Sequence, residues 1–255
     1  MPDFTPDTAL AVMARYPELG KTKTRLARTL GEQETLSLYQ AFLCDIAQRH
    51  AGQAYTLCWA YTPAEVKYQE LIATLVPEHA ATMRYFPQHG VDFGARLHHA
   101  FQWTQARGFA YTILIGSDSP QISRECIATA RKALNDVDVV LGPSDDGGYY
   151  LLGMRVAHDV FSGIPMSTDV VTQMTLKAAQ RQGLSVRLLD SLFDVDELPD
   201  LVRLAQMLTQ DPTLAPVTAA HLKTMRSFHD HYASNTDNTS DDPATLNLHR
   251  ANQPM

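Results

Sequence analysis

The segment Tyr111–Pro120 (YTILIGSDSP) joins a short apolar run to a loop that carries a carboxylate. An unbroken apolar run that ends at glycine and aspartate is typical of a strand buried on both faces. Comparable runs occupy Ala9–Ala14, Tyr55–Ala60 and Val137–Leu141. Apolar residues recur at helical spacing between the runs, as in Leu36–Ile46 and Phe93–Phe101. This alternation predicts a single-domain, three-layer α/β/α fold with a mostly parallel sheet.

Composition narrows the class of protein. The chain has 255 residues and a net charge of −7, which argues against a nucleic-acid partner. No uncharged apolar run approaches the roughly 20 residues of a membrane helix, and the first residues lack the basic start of a signal peptide. The three cysteines are too scattered for a disulfide framework or a structural zinc site. We therefore expect a cytoplasmic protein without a membrane partner.

Local signals mark the domain limits and helix ends. Residues 1–232 are predicted to form the domain, and residues 233–255, which lack aromatic side chains, a mobile polar tail. Ser123 is a predicted N-cap, as is either Ser167 or Thr168 before the apolar-periodic segment that follows.

The loop after the first apolar run is unusually basic. Five of the 21 basic residues fall within residues 15–28, where even spacing would place about one. They are Arg15, Lys21, Lys23, Arg25 and Arg28. Cations in a glycine-containing loop before a helix favour a phosphate-binding site, although a solvated helix face is the alternative. A Walker A motif is disfavoured, because Arg15 stands where that motif needs its first glycine.

Three further loops carry acidic residues. Asp118 has only small neighbours, which leaves room for a ligand and a divalent cation, or it caps the next helix in an Asx-turn. The segment Asp145–Gly148 (DDGG) allows close approach of a ligand, but taken alone it reads better as a hairpin turn. Asp194 and Asp196 are candidates for a second carboxylate beside Asp118, or for a helix cap.

Six segments, taken in order, resemble the GT-A-fold nucleotide-diphospho-sugar transferases. The closest likeness is to a bacterial branch that is also similar to 2-phospho-L-lactate guanylyltransferase. The segments are PELGKTKTRLA (17–27), HGVDFGARLHHAF (89–101), IGSDSP (115–120), LGPSDDGGYYLLG (141–153), MSTDVVTQMTL (166–176) and FDVDELPDL (193–201). The first loop departs from the GxGxRM form of typical nucleotidyltransferases, and Gly116 stands where a DxD signature would have its first aspartate.

The resemblance implies roles for particular residues. It makes Lys21, Lys23 and Arg25, together with the neighbouring Arg15, the contacts to nucleotide phosphates. It implies a site for Mg²⁺ or Mn²⁺ at Asp118 and Asp196, with Asp194 as the alternative second ligand. Gly90 and Gly94 would line the nucleotide side of the cleft, and Gly147 and Gly148 would lie against the donor or acceptor. Asp145 or Asp146 is the candidate general base if the acceptor is a hydroxyl.

These roles lead to one leading function and two alternatives. The leading hypothesis is metal-dependent transfer of a sugar from a nucleoside diphosphate sugar to a small acceptor. The first alternative is nucleotidyl transfer, in which a phosphorylated small molecule attacks a nucleoside triphosphate and pyrophosphate leaves. The second is a nucleotide-binding protein without catalysis. The base, sugar, acceptor, stereochemical course and oligomeric state have no signature in the sequence.

Overall fold

The computed structural model describes residues 6–166 and 168–230; the predicted tail, residues 233–255, lies outside them. Seven strands alternate with helices along the chain. The strands are β1 Thr8–Arg15, β2 Thr56–Thr62, β3 Arg84–Pro87, β4 Tyr111–Gly116, β5 Val139–Pro143, β6 Tyr149–Met154 and β7 Val186–Leu188. The α-helices are α1 Thr24–Leu30, α2 Glu32–His50, α3 Tyr68–Leu75, α4 Phe93–Gln105, α5 Arg124–Ala133, α6 Val171–Arg181, α7 Leu198–Gln210 and α8 Pro216–Leu222. Within the described ranges, no helix combines the length and apolarity needed to cross a membrane.

All seven strands form one sheet in the order β3-β2-β1-β4-β6-β5-β7. Strands β1 to β4 run parallel to one another, and β5 pairs in parallel with β7. Strand β6 alone among the seven is antiparallel to its neighbours. The predicted mostly parallel sheet is therefore confirmed, and β4 holds the central position that its apolarity indicated.

Strand β1 shows why the fold needs helices on both faces. Its side chains alternate between two separate cores: Leu10, Val12 and Ala14 enter one, whereas Ala9 and Ala11 enter the other. Helices α2, α5 and α7 cover the first core, and α4 and α6 cover the second. The three-layer arrangement predicted from the sequence is confirmed.

Two local expectations had different outcomes. Ser123 caps α5, because its hydroxyl accepts a hydrogen bond from the Cys126 amide at 3.1 Å. Thr168 is not an N-cap: α6 begins later, after Val170, with no side-chain cap. The Thr168 hydroxyl instead donates to the Pro165 carbonyl at 2.8 Å, within the preceding turn. Ser167 lies outside the described residues.

The DDGG segment forms the turn of the β5–β6 hairpin. The Ser144 amide donates to the Gly148 carbonyl at 2.9 Å, and the Gly147 amide returns a bond to the Ser144 carbonyl at 3.1 Å. Gly147 has a φ of +88°, and a Cβ added there would lie 2.0 Å from the Asp169 carbonyl oxygen. The hairpin turn thus packs directly against the backbone that precedes α6.

We expect Gly147→Ala to destabilise the fold far more than Gly163→Ala. Gly163 also has a positive φ, of +75°, but a Cβ there meets nothing within 4 Å, so its substitution costs only the backbone strain, about 1 kcal/mol. At position 147 the backbone must also shift, which should add roughly 2 kcal/mol. Urea denaturation of both variants measures the difference; equal losses would contradict the close approach at Gly147.

Candidate active site

A cavity of about 410 Å³ opens at the carboxyl ends of the parallel strands. The ends of β1 and β2, the residue after β3 and the loop after β4 supply one part of its wall, through Arg15, Thr62, Gln88 and Ser117. The basic loop after β1 and the first turn of α4 supply much of the rest. Ligands of open parallel sheets bind at this edge, because the strand ends and helix starts meet there.

The cavity wall carries more positive than negative charge. Five cationic side chains line it against two carboxylates, which leaves an excess of three positive charges in a protein of net charge −7. The cations are Arg15, Lys21, Lys23, Arg25 and Arg96, and the carboxylates are Asp118 and Asp196. This concentration of charge suits an anionic ligand such as a di- or triphosphate.

Lys23 lies between the two carboxylates. Its Nζ is 2.7 Å from Asp118 Oδ1 and 2.8 Å from Asp196 Oδ1. The lysine side chain is only 7% exposed, whereas the two aspartates are 41% and 44% exposed. In this state the ammonium therefore contacts the predicted metal ligands, although the sequence placed it on the phosphates.

Backbone contacts bring the two aspartates together across a long stretch of chain. The Val195 amide donates to the Asp118 carbonyl at 2.9 Å. The Ser119 hydroxyl and the Gln121 amide group both donate to the Phe193 carbonyl, at 3.1 and 2.8 Å. The segment before α7 is thus fixed to the loop after β4, and this contact places Asp196 beside Asp118.

The ion pairs determine the protonation of the lysine and of one partner. Burial acts to lower the pKa of Lys23, but Asp118 and Asp196 outweigh it and raise that pKa above its ordinary value. Burial likewise acts to raise the pKa of Asp196, and Lys23 reverses the shift, so this pKa is lowered. A charged lysine between ionised carboxylates is the stable state at neutral pH.

Tyr39 holds the floor of the cavity. Its hydroxyl lies 2.8 Å from the Ser117 hydroxyl and accepts a bond from the Arg15 amide at 3.2 Å, so α2 is tied to the ends of β1 and β4. Burial, followed by the nearby Asp118 charge, raises the pKa of Tyr39 to about 12. The phenol therefore stays neutral and acts as a hydrogen-bonding group.

The two glycines predicted beside the nucleotide lie next to the cavity and support α4. A Cβ at Gly90 would come within 2.7 Å of the Arg96 amide nitrogen, and Gly94 packs against Phe161 and Met166. Asp92 then caps α4 by accepting from the Ala95 amide at 2.7 Å. These features position the first turn of α4, which brings Phe93 and Arg96 to the cavity wall.

The acidic residues predicted as a general base have partners elsewhere. Asp145 forms an ion pair with Arg203 of α7 at 2.5 Å. Asp146 accepts from the Ser144 hydroxyl and from the Gly148 amide within the hairpin turn. Neither aspartate lines the cavity, nor do Gly147 and Gly148. Their predicted roles in catalysis and binding stay predictions.

Asp194, the alternative metal ligand, points to a different neighbour from Asp196. Its carboxyl accepts from the Ser119 hydroxyl. Burial raises the pKa of Asp194 to about 6, and the Asp118 charge contributes to this shift. Asp196, which contacts Lys23 and lines the cavity, is the better candidate for the second ligand.

Sequence reasoning missed several residues of the cavity wall, namely Tyr39, Gln88, Phe93 and Arg96. Gln88 links the ends of two strands, since its amide group donates to the Ala60 carbonyl at 2.8 Å and the Ala14 carbonyl at 3.3 Å. Arg96 lies seven residues after His89 in HGVDFGARLHHAF, a segment singled out for its glycines only. A lone arginine in a helix has no sequence signature of binding.

The donor set at Asp118 and Asp196 fits a divalent cation, because both carboxylates converge on one cation, the Lys23 ammonium. Among the residues that the structure describes, no three His, Cys, Asp or Glu side chains are grouped closely enough to hold a metal ion. Magnesium in proteins commonly takes one or two carboxylates and completes its shell with substrate phosphates and water. The site would therefore need a ligand phosphate beside these two aspartates.

The fold and the site place the chain with the nucleotide-diphospho-sugar transferases, as the sequence motifs indicated. A structure from Desulfovibrio desulfuricans G20, provisionally described as a nucleotide-diphospho-sugar transferase, is 29% identical, with a TM-score of 0.75, and covers 91% of this chain and 96% of that one. The 4-diphosphocytidyl-2C-methyl-D-erythritol synthase of Anaerococcus prevotii DSM 20548 shares the fold alone, with 10% identity and a TM-score of 0.51 over 79% of this chain and 98% of that one.

Sequence comparisons agree at the level of class. The family described as "Uncharacterized protein conserved in bacteria (DUF2064)" matches residues 45–168. The 2-phospho-L-lactate guanylyltransferase of Methanopyrus kandleri is 35% identical over 96 residues, which are 35% of this chain. The match spans about half, 47%, of that curated relative. The homologue and structural neighbours are transferases, which confirms the predicted class of enzyme at this level.

We expect Asp194→Asn to stabilise the protein at neutral pH. The folded-state pKa of about 6 lies above the ordinary 3.8, so between these pH values the folded protein holds a proton that the unfolded chain has released. Unfolding free energy therefore falls as pH rises through this window, and the full cost of the buried charge remains above it. Asparagine avoids that cost and still accepts from Ser119, which should add roughly 1–3 kcal/mol at pH 7.5 and little at pH 4.

Urea denaturation across pH 4–8, in the presence of a chelator, measures this effect. The exposed Asp136 provides a control, since Asp136→Asn should follow the wild-type pH profile. An Asp194→Asn profile parallel to that of the wild type would show that Asp194 titrates without cost in the folded protein.

Proposed function

We propose that the protein is a nucleotide-dependent transferase that binds the polyphosphate of its nucleotide in the cavity at the carboxyl edge of the sheet. The observation that carries this proposal is the set of five cations around two converging carboxylates. Neutral or cationic ligands would gain nothing from such a wall, whereas phosphate oxygens accept charge-assisted hydrogen bonds from it. A cytoplasmic location fits the proposal, since nucleotides are made and used there.

The first candidate reaction is transfer of a sugar from a nucleoside diphosphate sugar to a small acceptor. In this reaction negative charge develops on the departing diphosphate as the bond to the sugar breaks. Arg15, Lys21 and Arg25 would hold the diphosphate and stabilise that charge, and Arg96 faces the same space from α4. The likeness to the Desulfovibrio protein, which extends over 91% of the chain, supports this candidate.

A divalent cation such as Mg²⁺ or Mn²⁺, held by Asp118 and Asp196, would supply further neutralisation of the phosphates. The chain's own residues orient the nucleotide and exclude water, and the protein needs no covalent nucleophile. The proton of an acceptor hydroxyl requires a base in the assembled complex. Asp145 and Asp146 stay the predicted candidates, although their contacts in this state are with Arg203 and Ser144.

The second candidate reaction is nucleotidyl transfer, in which the acceptor attacks the α-phosphate of a nucleoside triphosphate and pyrophosphate leaves. The same cations would then stabilise the charge on the departing pyrophosphate. The specific observation in its favour is the 35% identity with the Methanopyrus guanylyltransferase over 96 residues. The two candidates differ in the bond that breaks and hence in the product.

Thermal unfolding with UDP-, GDP-, ADP-, CDP- and dTDP-sugars and the matching triphosphates, each with and without Mg²⁺ or Mn²⁺, tests the proposal. A ligand at about 100 times its Kd adds roughly 2.7 kcal/mol and should raise the midpoint by several degrees. A shift with one diphosphate sugar supports sugar transfer, and a shift with a triphosphate alone supports nucleotidyl transfer. No shift across the panel would overturn the proposal, and binding without turnover would indicate a non-catalytic nucleotide-binding protein.

We expect Lys21→Ala to weaken binding of the nucleotide identified in this way by about 1.5–3 kcal/mol, or roughly 10- to 150-fold in Kd. Lys21 is 61% exposed on the cavity wall, and its Glu18 partner at 2.7 Å leaves it free to rotate toward a phosphate. Arg28 belongs to the same basic segment but does not line the cavity, so Arg28→Ala is the matched control. Isothermal titration calorimetry measures both; equal effects would return the cluster to a solvated helix face.

A further inference from the structure

Lys23 occupies the position that the predicted metal ion would need. Its ammonium contacts Asp118 and Asp196 simultaneously, at 2.7 and 2.8 Å, and its side chain is almost fully enclosed. A magnesium ion lies about 2.0–2.1 Å from its carboxylate ligands. An ion at that distance from the same two oxygens would touch the ammonium, and the two positive charges would repel each other.

The backbone at Lys23 supports the view that these contacts are specific. Lys23 has a φ of +46° and a ψ of +51°, and it is the one non-glycine residue with a positive φ in the described part of the chain. The left-handed conformation costs a residue with a Cβ about 1 kcal/mol or more. This conformation is stable here because Lys23 begins α1, where its carbonyl accepts from the Ala27 amide at 2.9 Å, and because its ammonium has two carboxylate partners.

We propose that Lys23 is an exchangeable internal cation, which neutralises Asp118 and Asp196 in the ligand-free protein and competes directly with a divalent cation for the same two carboxylates. Binding of the metal ion displaces the ammonium from the aspartates. Under the proposed function, on which this clause alone rests, the displaced ammonium becomes available to the phosphates of the nucleotide. Lys23 would then couple metal binding to phosphate binding, because each event favours the other.

Binding of Mn²⁺ to the ligand-free protein, followed by electron paramagnetic resonance of the free ion, tests the competition. We expect Lys23→Gly, which removes the charge and suits the positive φ, to bind Mn²⁺ about tenfold more tightly than the wild type, or more. Lys23→Asn, which also tolerates the left-handed region, should behave in the same way and serves if the glycine variant folds poorly. Circular dichroism establishes the folding of each variant.

Two matched variants show whether the effect belongs to this site. Lys21→Ala removes an equal charge from the same loop but no contact with the aspartates, so it should change Mn²⁺ affinity much less. Adding Asp118→Asn to Lys23→Gly should abolish the gain. Affinity in Lys23→Gly and Lys23→Asn that equals or falls below that of the wild type would overturn the proposal.

A second measurement uses the wild-type chain. The enclosed ammonium of ¹⁵N-labelled Lys23, assigned by its absence in Lys23→Asn, should give a protected ¹H–¹⁵N signal that shifts or disappears at saturating Mg²⁺. A signal unchanged under saturation would contradict displacement. Neither measurement uses a nucleotide, so failure of this proposal is distinguishable from failure of the proposed function.

Discussion

The double ion pair of Lys23 with Asp118 and Asp196 is the interaction on which the candidate site depends. It joins the loop after β1, the loop after β4 and the segment before α7, which are far apart in the chain. Two carboxylates this close would repel each other without a cation between them. The lysine therefore makes it possible for the fold to hold two acidic groups together at the mouth of the sheet.

The position of this interaction follows from the burial of the central strands. Strands β1 and β4 pair in parallel and have buried side chains on both faces, so their polar loops can gather only at the strand ends. The Val195 amide then extends the chain alongside the β4 loop by its bond to the Asp118 carbonyl. The cations collect at the same edge because the β1 loop and the first turn of α4 both begin there.

The sequence supports the fold better than it supports the details of the site. The apolar runs at Ala9–Ala14 and Tyr111–Ile115 predict β1 and β4, because burial on both faces leaves a pattern within a few residues. The contacts of Lys23 leave no such pattern, since they cross more than 90 residues to Asp118 and 173 to Asp196. Asp145 shows the converse: its partner Arg203 lies 58 residues away, and spacing alone gave no reason to expect that pair.

The chemistry of lysine explains why this residue, rather than arginine, suits the place between the carboxylates. An ammonium is a compact charge on a flexible stem, and it can leave one oxygen partner for another without a fixed planar geometry. A guanidinium would form two-pronged contacts and resist displacement. Arg15 and Arg96 lie instead on the cavity wall, where a fixed fork favours phosphate recognition. The division of cations therefore follows their chemistry: a movable charge sits at the acidic pair, and rigid charges face the space for the ligand.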